Sequence, residues 1–322
     1  PGAAPAAAGA AGDRVGIAGL QRQYAEQLRG VPGLSIEVVP GEADADAEPT
    51  EVFSVDPVDG VPLSTTLRPD MQVAAEAVLA GQGPSAIVAI QPSTGSVLAA
   101  ASSTAGEGLS TATTGQYAPG STFKVATTLA MLRAGLTPDT TVSCPPTLTV
   151  EGREFQNVPG YPTAALGDVP LRTAFANSCN TAMIGQREAV SQQALHDAAA
   201  SLGLGVESEL GAPAGFGAVP AGSTGTEHAA SMIGQGKVQA SPLAMATVAA
   251  SVAAGRTVAP VLVHPDVQTV AEEQPASTLT EQEAATLREL MRGVVTDGSA
   301  SLLRALPGEP GGGTGTAQYG GG

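Results

Sequence analysis

Ser121 and Lys124 stand three residues apart in the run Ser121-Thr122-Phe123-Lys124. At the start of a helix that spacing puts both side chains on one face, within one turn. A serine hydroxyl is a weak nucleophile until a base takes its proton. A lysine buried at the positive end of a helix has a depressed pKa and can be that base. A helix-capping Ser and a solvent-facing Lys would show the same spacing, so the motif alone does not decide. Lysine usage tips the balance toward chemistry. Of fourteen basic residues only Lys124 and Lys237 are lysines. Arginine cannot release its proton near neutral pH, whereas a desolvated lysine can.

Two further constellations offer polar groups. Ser178-Cys179-Asn180 lies between two helical patterns. In a turn, the hydroxyl and the amide can face one cleft, the first to relay a proton and the second to hold a peptide group. A capping turn would use the same residue types. Thr314-Gly315-Thr316 follows a glycine run near the end of the chain. In a strand, Thr314 and Thr316 share a face and Gly315 lets another chain approach closely. Such an edge could bind an extended peptide and its terminal carboxylate. A glycine-rich tail of no consequence would have the same composition.

The elements that must position these groups are expected as follows. Residues 1–12 read as a flexible leader of Ala, Gly and Pro, and residues 13–58 as a small subdomain. Within that subdomain a helical pattern covers 20–28, a strand 34–39 and an exposed acidic loop 40–49. The main domain is expected over residues 59–322. It opens with a helix at 71–79 and a hairpin formed by 86–90 and 96–101 around Pro92-Ser93-Thr94-Gly95. A helix follows at 121–134, stopping at Gly135. Further helices are expected at 171–177, 181–190, 193–202, 242–254 and 281–293, with a strand at 257–264. Helices around a sheet whose strands come from both chain ends make an α+β architecture.

Composition narrows the function. The formal charge of −16, with no basic run, argues against nucleic acid as a partner and against anionic lipid surfaces. No apolar run is long enough to span a bilayer. Aromatic residues make up 3% and Trp is absent, so Ala, Gly and small β-branched residues must fill the core. Cys144 and Cys179 are compatible with one disulfide or two buried thiols, and the thiols are the simpler expectation. His196, His228 and His264 are the only histidines, and no G-x-S-x-G elbow or H-E-x-x-H zinc site is present. Gly236-Lys237-Val238 breaks the phosphate-loop pattern.

Taken in order and at these separations, the three motifs resemble those of the penicillin-binding proteins and their serine β-lactamase relatives. The segment from Tyr117-Ala118-Pro119-Gly120 into Ser121 and Lys124 is similar to the family's nucleophile segment. Residues 60–67, Gln72 onward, Gly234-Gln235-Gly236 and 240–246 are also similar, and residues 16–33 resemble the pedestal of monofunctional, class B members. The resemblance implies a penicillin-binding-protein/serine β-lactamase-like fold, an antiparallel sheet flanked by helices plus an all-helical subdomain. It also implies a D,D-transpeptidase that cross-links peptidoglycan stem peptides ending in D-Ala-D-Ala and is the target of β-lactams.

By that resemblance Ser121 is the nucleophile, Lys124 the base and Ser178 the proton relay. Asn180 orients the acyl-side amide, Thr314 and Thr316 bind the carboxylate with Gly315 between them in the substrate-binding segment, and the N–H groups of Ser121 and Thr316 form the oxyanion hole. No cofactor or metal is implied. Division or elongation proteins are implied as partners, and the extracytoplasmic face of a bacterial membrane as the location, with the anchor in a segment outside this chain. That location also permits a Cys144–Cys179 disulfide, with the Cys179 side chain turned into the protein. A class A β-lactamase would need a Glu after the second motif, and Glu188 has the wrong neighbours. A class D enzyme would carry Val where Asn180 stands.

The sequence departs from the family at two places. Gly313 occupies the position of the third-motif lysine, which bears on turnover and keeps a non-catalytic member of the same fold as the alternative. The family's later strands and final helix have no counterpart after Thr316, so the C-terminus is expected to be incomplete.

Overall fold

Apolar runs broken by turn residues fold into hairpins, and periodic runs bounded by caps fold into helices. The computed structural model describes residues 16, 18–39, 48–106, 110–263 and 278–317. The leader, most of the acidic loop and His264 therefore lie outside the described residues. Two units divide the chain, residues 1–65 and 66–322.

In the first unit the helical pattern over 20–28 is split at Tyr24 into α1 (Gly19–Gln23) and α2 (Ala25–Arg29). Strand β1 (Leu34–Val38) pairs antiparallel with β2 (Thr50–Val55), with a bulge between Ile36 and Glu37.

The second unit begins with α3 (Pro69–Leu79), started by a proline whose missing N–H costs nothing in the first turn. The hairpin of β3 (Ala86–Ile90) and β4 (Val97–Ser102) follows, and α3 packs on β4. After α4 (Thr111–Thr114) comes α5 (Lys124–Arg133), buried from Lys124 through Met131. Four short strands come next: β5 (Thr141–Cys144), β6 (Thr147–Val150), β7 (Arg153–Gln156) and β8 (Gly167–Pro170). They pair antiparallel as β5 with β8 and β6 with β7. The remaining helices are α6 (Leu171–Ala176), α7 (Asn180–Gly185), α8 (Gln192–Ser201), α9 (Gly225–Ser231), α10 (Pro242–Ala254) and α11 (Glu281–Thr296).

Caps explain where these helices stop and start. The Ser191 hydroxyl accepts from Ala194 N–H ahead of α8, and the Ser241 hydroxyl from Ala244 N–H ahead of α10. Gly255 ends α10 in the left-handed conformation that a side chain would resist. Thr280 and Glu283 form a reciprocal capping box at α11. Ala284, Leu287, Leu290, Val294 and Val295 of α11 are buried and lie on one helical face, over a core that also holds α5, α8 and α10. The fold is α+β.

Several expectations are corrected. The helix from Ser121 starts as a 3-10 turn, Gly120–Phe123, and becomes α-helical only at Lys124. Asn180 is the first residue of α7, which ends at Gly185 rather than running to Val190. Residues 257–263 are no strand. Val97 N–H donates to Val261 and Val261 N–H to Gly95, but Pro260 has no N–H to continue a ladder. Thr314, Gly315 and Thr316 belong to no strand, and no sheet joins the two ends of the chain among the described residues. Glycines at 311–313 offer no side chain to pack across a ladder, and the segment contacts the 119–122 turn instead.

Candidate active site

Close backbone packing sets the entry to α5. Gly120 has a φ of +55°, and its N–H donates to the Gly234 carbonyl at 2.9 Å. A Cβ on Gly120 would stand 2.4 Å from the Thr316 carbonyl oxygen, and one on Gly234 would stand 2.2 Å from the Gly120 carbonyl. Only glycine fits either place. The Thr122 hydroxyl donates to the Pro119 carbonyl at 2.7 Å and closes the turn. Ser121 is thereby presented one turn before Lys124, with the Lys124 Nζ 3.0 Å from Ser121 Oγ.

The second motif is built by the end of α6. Cys179 N–H donates to Ala174 and Ser178 N–H to Phe175, the paired bonds of a Schellman ending. The position that glycine usually fills is Ser178, with a φ of +59°. A non-glycine residue there costs roughly 1–2 kcal/mol. The consequence is visible at Lys124. Its Nζ lies 2.7 Å from the Ser178 carbonyl oxygen, 2.9 Å from the Ser178 hydroxyl and 2.6 Å from Asn180 Oδ1. The Asn180 Nδ2 donates to the Gln156 carbonyl at 2.8 Å, which fixes which end of the amide faces the lysine.

Lys124 is 2% exposed. Burial pulls its pKa from 10.5 down to about 7, and no acidic side chain among the described residues is hydrogen-bonded to it. A neutral amine has two donors and one lone pair. Two of the four neighbours accept strongly as carbonyls, so the lone pair is left for a hydroxyl proton. The group can take a proton from Ser121 and exchange it with Ser178.

A cleft beside this cluster is lined by Ser121, Lys124, Ser178, Ser299, Gly313 and Thr314, among others. The Thr314 hydroxyl is 2.8 Å from that of Ser299. Gly315 runs against the turn at residues 119–122, where a Cβ would meet Thr122 and the Pro119 carbonyl. Thr316 passes Gly120, as described. All seven residues singled out from the sequence thus fall in one neighbourhood. Lys237 does not join it: it is exposed, and its N–H donates to Glu227. Glu188 is an exposed partner of Arg187.

Cys144 and Cys179 are joined in a disulfide, with Cα atoms 6.3 Å apart, so the two thiols expected from the sequence are not there. Both cysteines are fully buried, and Cys179 does not line the cleft although its neighbour Ser178 does. Sequence reasoning missed Asn157, Gln156 and Ser299. None carries a signal at the sequence level, because each acts through a neighbour far along the chain.

Residues 85–322 match the penicillin binding protein transpeptidase domain. The chain is 33% identical over 301 residues to the peptidoglycan D,D-transpeptidase PbpA of Mycobacterium tuberculosis, covering 80% of this chain and 61% of that protein. It therefore spans about three-fifths of the curated relative. The ceftriaxone acyl-enzyme complex of M. tuberculosis penicillin-binding protein A superposes with a TM-score of 0.70 at 31% identity, over 82% of this chain and 68% of that one. A peptidoglycan synthase complex that coordinates polymerization and crosslinking matches at a TM-score of 0.76 and 28% identity, over 95% and 61%. A buried lysine shared by two serines, set in this fold and matched over most of its length, leaves one assignment: the chain belongs to the penicillin-binding protein transpeptidase family, as a class B member.

Proposed function

We propose that this chain carries the acyl-transfer site of a peptidoglycan D,D-transpeptidase and is acylated by β-lactams at Ser121. The observation that carries the reading is Lys124, buried and within hydrogen-bond reach of the hydroxyls of both Ser121 and Ser178. Ser121 Oγ attacks the carbonyl of the penultimate D-Ala while its proton passes to the neutral Lys124 amine. The amide bond to the terminal D-Ala breaks, and Ser178 relays a proton to the leaving amine. An ester on Ser121 remains. An amine of a neighbouring strand then attacks that ester, the peptide cross-link forms and Ser121 recovers its proton.

Asn180 orients the acyl-side amide, and Thr314 and Thr316 receive the terminal carboxylate, with Gly315 between them in the substrate-binding segment. The N–H groups of Ser121 and Thr316 serve the oxyanion. Elongation or division proteins are the proposed partners, in line with the synthase complex this chain resembles. The disulfide supports a location outside the cytoplasm, where such bonds persist. No helix among the described residues is long and apolar enough to cross a membrane.

Gly313 favours one second reading, a domain that acylates slowly and turns over weakly. It lines the cleft without a charge where the family carries a lysine. Benzylpenicillin followed by intact-protein mass spectrometry tests the main reading. A single adduct that disappears in Ser121→Ala supports it, and an adduct that persists in that variant removes Ser121 as nucleophile.

A further inference from the structure

Helix α7 begins at Asn180 with a poor cap of its own. Its N-cap residue is Cys179, whose sulfur is committed to the disulfide and is a weak acceptor, 3.3 Å from Ala182 N–H. The first two N–H groups of the helix are satisfied from elsewhere. The carboxamide oxygen of Asn157 accepts from Asn180 N–H at 2.8 Å and from Thr181 N–H at 3.2 Å. Asn157 follows directly on β7, and its residue is buried. Its Nδ2 donates to the Pro145 carbonyl at 3.1 Å and to the Thr181 hydroxyl at 3.3 Å. Both lone pairs and both N–H groups of the amide are therefore used, and its orientation is fixed.

The residue before it, Gln156, holds Asn180 Nδ2 through its carbonyl. Two consecutive residues at the end of one hairpin thus grip Asn180, Asn157 by the backbone and Gln156 by the side chain. What remains free of the Asn180 amide, its Oδ1, is aimed at Lys124 Nζ 2.6 Å away.

We infer that Asn157 is a positioning residue for Ser121 acylation, acting through Asn180 on Lys124. The inference rests on the acylation reading above. Asn157 touches neither the nucleophile nor the cleft, so any effect on acylation must travel through the α7 start. A residue that merely stabilises the fold would weaken every variant background alike, whereas one that acts through Asn180 loses its effect once the Asn180 amide is gone.

The experiment is a double-mutant cycle on benzylpenicillin acylation of the chain, with Asn157→Ala, Asn180→Ala and the pair, each at matched melting temperature margin. Asn157→Ala alone is expected to slow acylation by about 10-fold to 100-fold, the range set by losing one or two buried hydrogen bonds. In the Asn180→Ala background it is expected to change the rate by less than about threefold. The same large factor in both backgrounds overturns the proposal. If Asn157→Ala does not fold, Asn157→Asp replaces it at unchanged volume, placing a carboxylate oxygen against the Pro145 carbonyl, and the same coupling criterion applies. Absence of any Ser121 adduct in the unaltered chain would instead overturn the acylation reading.

Discussion

Ser178 offers Lys124 both of its acceptors: the carbonyl oxygen lies 2.7 Å and the hydroxyl 2.9 Å from the same Nζ. An ordinary helix residue could not do this, because its carbonyl would be taken up along the helix axis. The left-handed backbone at Ser178 turns the carbonyl and the side chain to one side together. A modest local strain is thus coupled to the orientation of the Lys124 amine.

Ser178→Gly separates those two roles. Glycine adopts the left-handed position without a Cβ penalty, so the melting temperature is expected to hold or rise by a few degrees. The hydroxyl proposed as the relay is lost, and β-lactam acylation should fall by about 10²-fold to 10⁴-fold, the usual contribution of general acid–base catalysis. Thermal unfolding and acylation rates measured on the same preparations check both halves. A fall in stability with unchanged acylation would show that the hydroxyl has no part in the reaction.

As the proposed base, Lys124 is expected to set the pH dependence of acylation. Its folded-state pKa is about 7, so the amine gains its lone pair as pH rises through that value. The second-order rate with benzylpenicillin should climb about tenfold per pH unit below 7 and level off above it. A rate that is flat from pH 5 to 9 would place the base elsewhere.

The same shift predicts a stability effect. Below pH 7 the lysine is charged in both states, and the folded state bears the full cost of burying that charge. Between about 7 and 10.5 only the unfolded state holds the proton, so stability rises with pH until both are neutral. Lys124→Met removes this dependence. It should stabilise the fold at pH 6 by roughly 5 kcal/mol, the fall from 10.5 to about 7 at about 1.4 kcal/mol per tenfold in proton affinity, and the gain should fade toward pH 10.5. Urea unfolding of the two proteins across that range measures it.

The disulfide closes a loop of sequence separation 35. Chain entropy assigns such a cross-link about 4 kcal/mol. Cys144→Ala together with Cys179→Ala should lower stability by that order. Acylation should fall as well, since Cys179 sits between Ser178 and Asn180. Calorimetry and acylation kinetics on the double variant test the pair of effects.

Gly313 lines the cleft, and a Cβ there meets nothing within 4 Å, so a side chain can be added without displacing a neighbour. Gly313→Lys should speed acylation about 10-fold to 100-fold, the worth of about 1.5–3 kcal/mol for a charged hydrogen bond to the carboxylate. If the rate does not rise, the missing cation is not what limits the site.

The chain's own order of residues determined the reagents. Ser121 and Lys124 meet because three residues span one helical turn, a relation that needs no tertiary contact. The hairpin of β3 and β4, the bounds of α10 and the start of α11 were legible for the same reason, since turn residues, caps and periodicity act within a few positions. Tertiary structure decided everything that joins Lys124 to residues 54 and 56 positions away. It decided that the cysteines pair, that Asn157 caps a helix it does not belong to, and that Thr314 to Thr316 find no strand partner among the described residues. A local pattern specifies which face of an element is apolar or reactive, whereas the distance between two such faces is fixed only when the core closes between them.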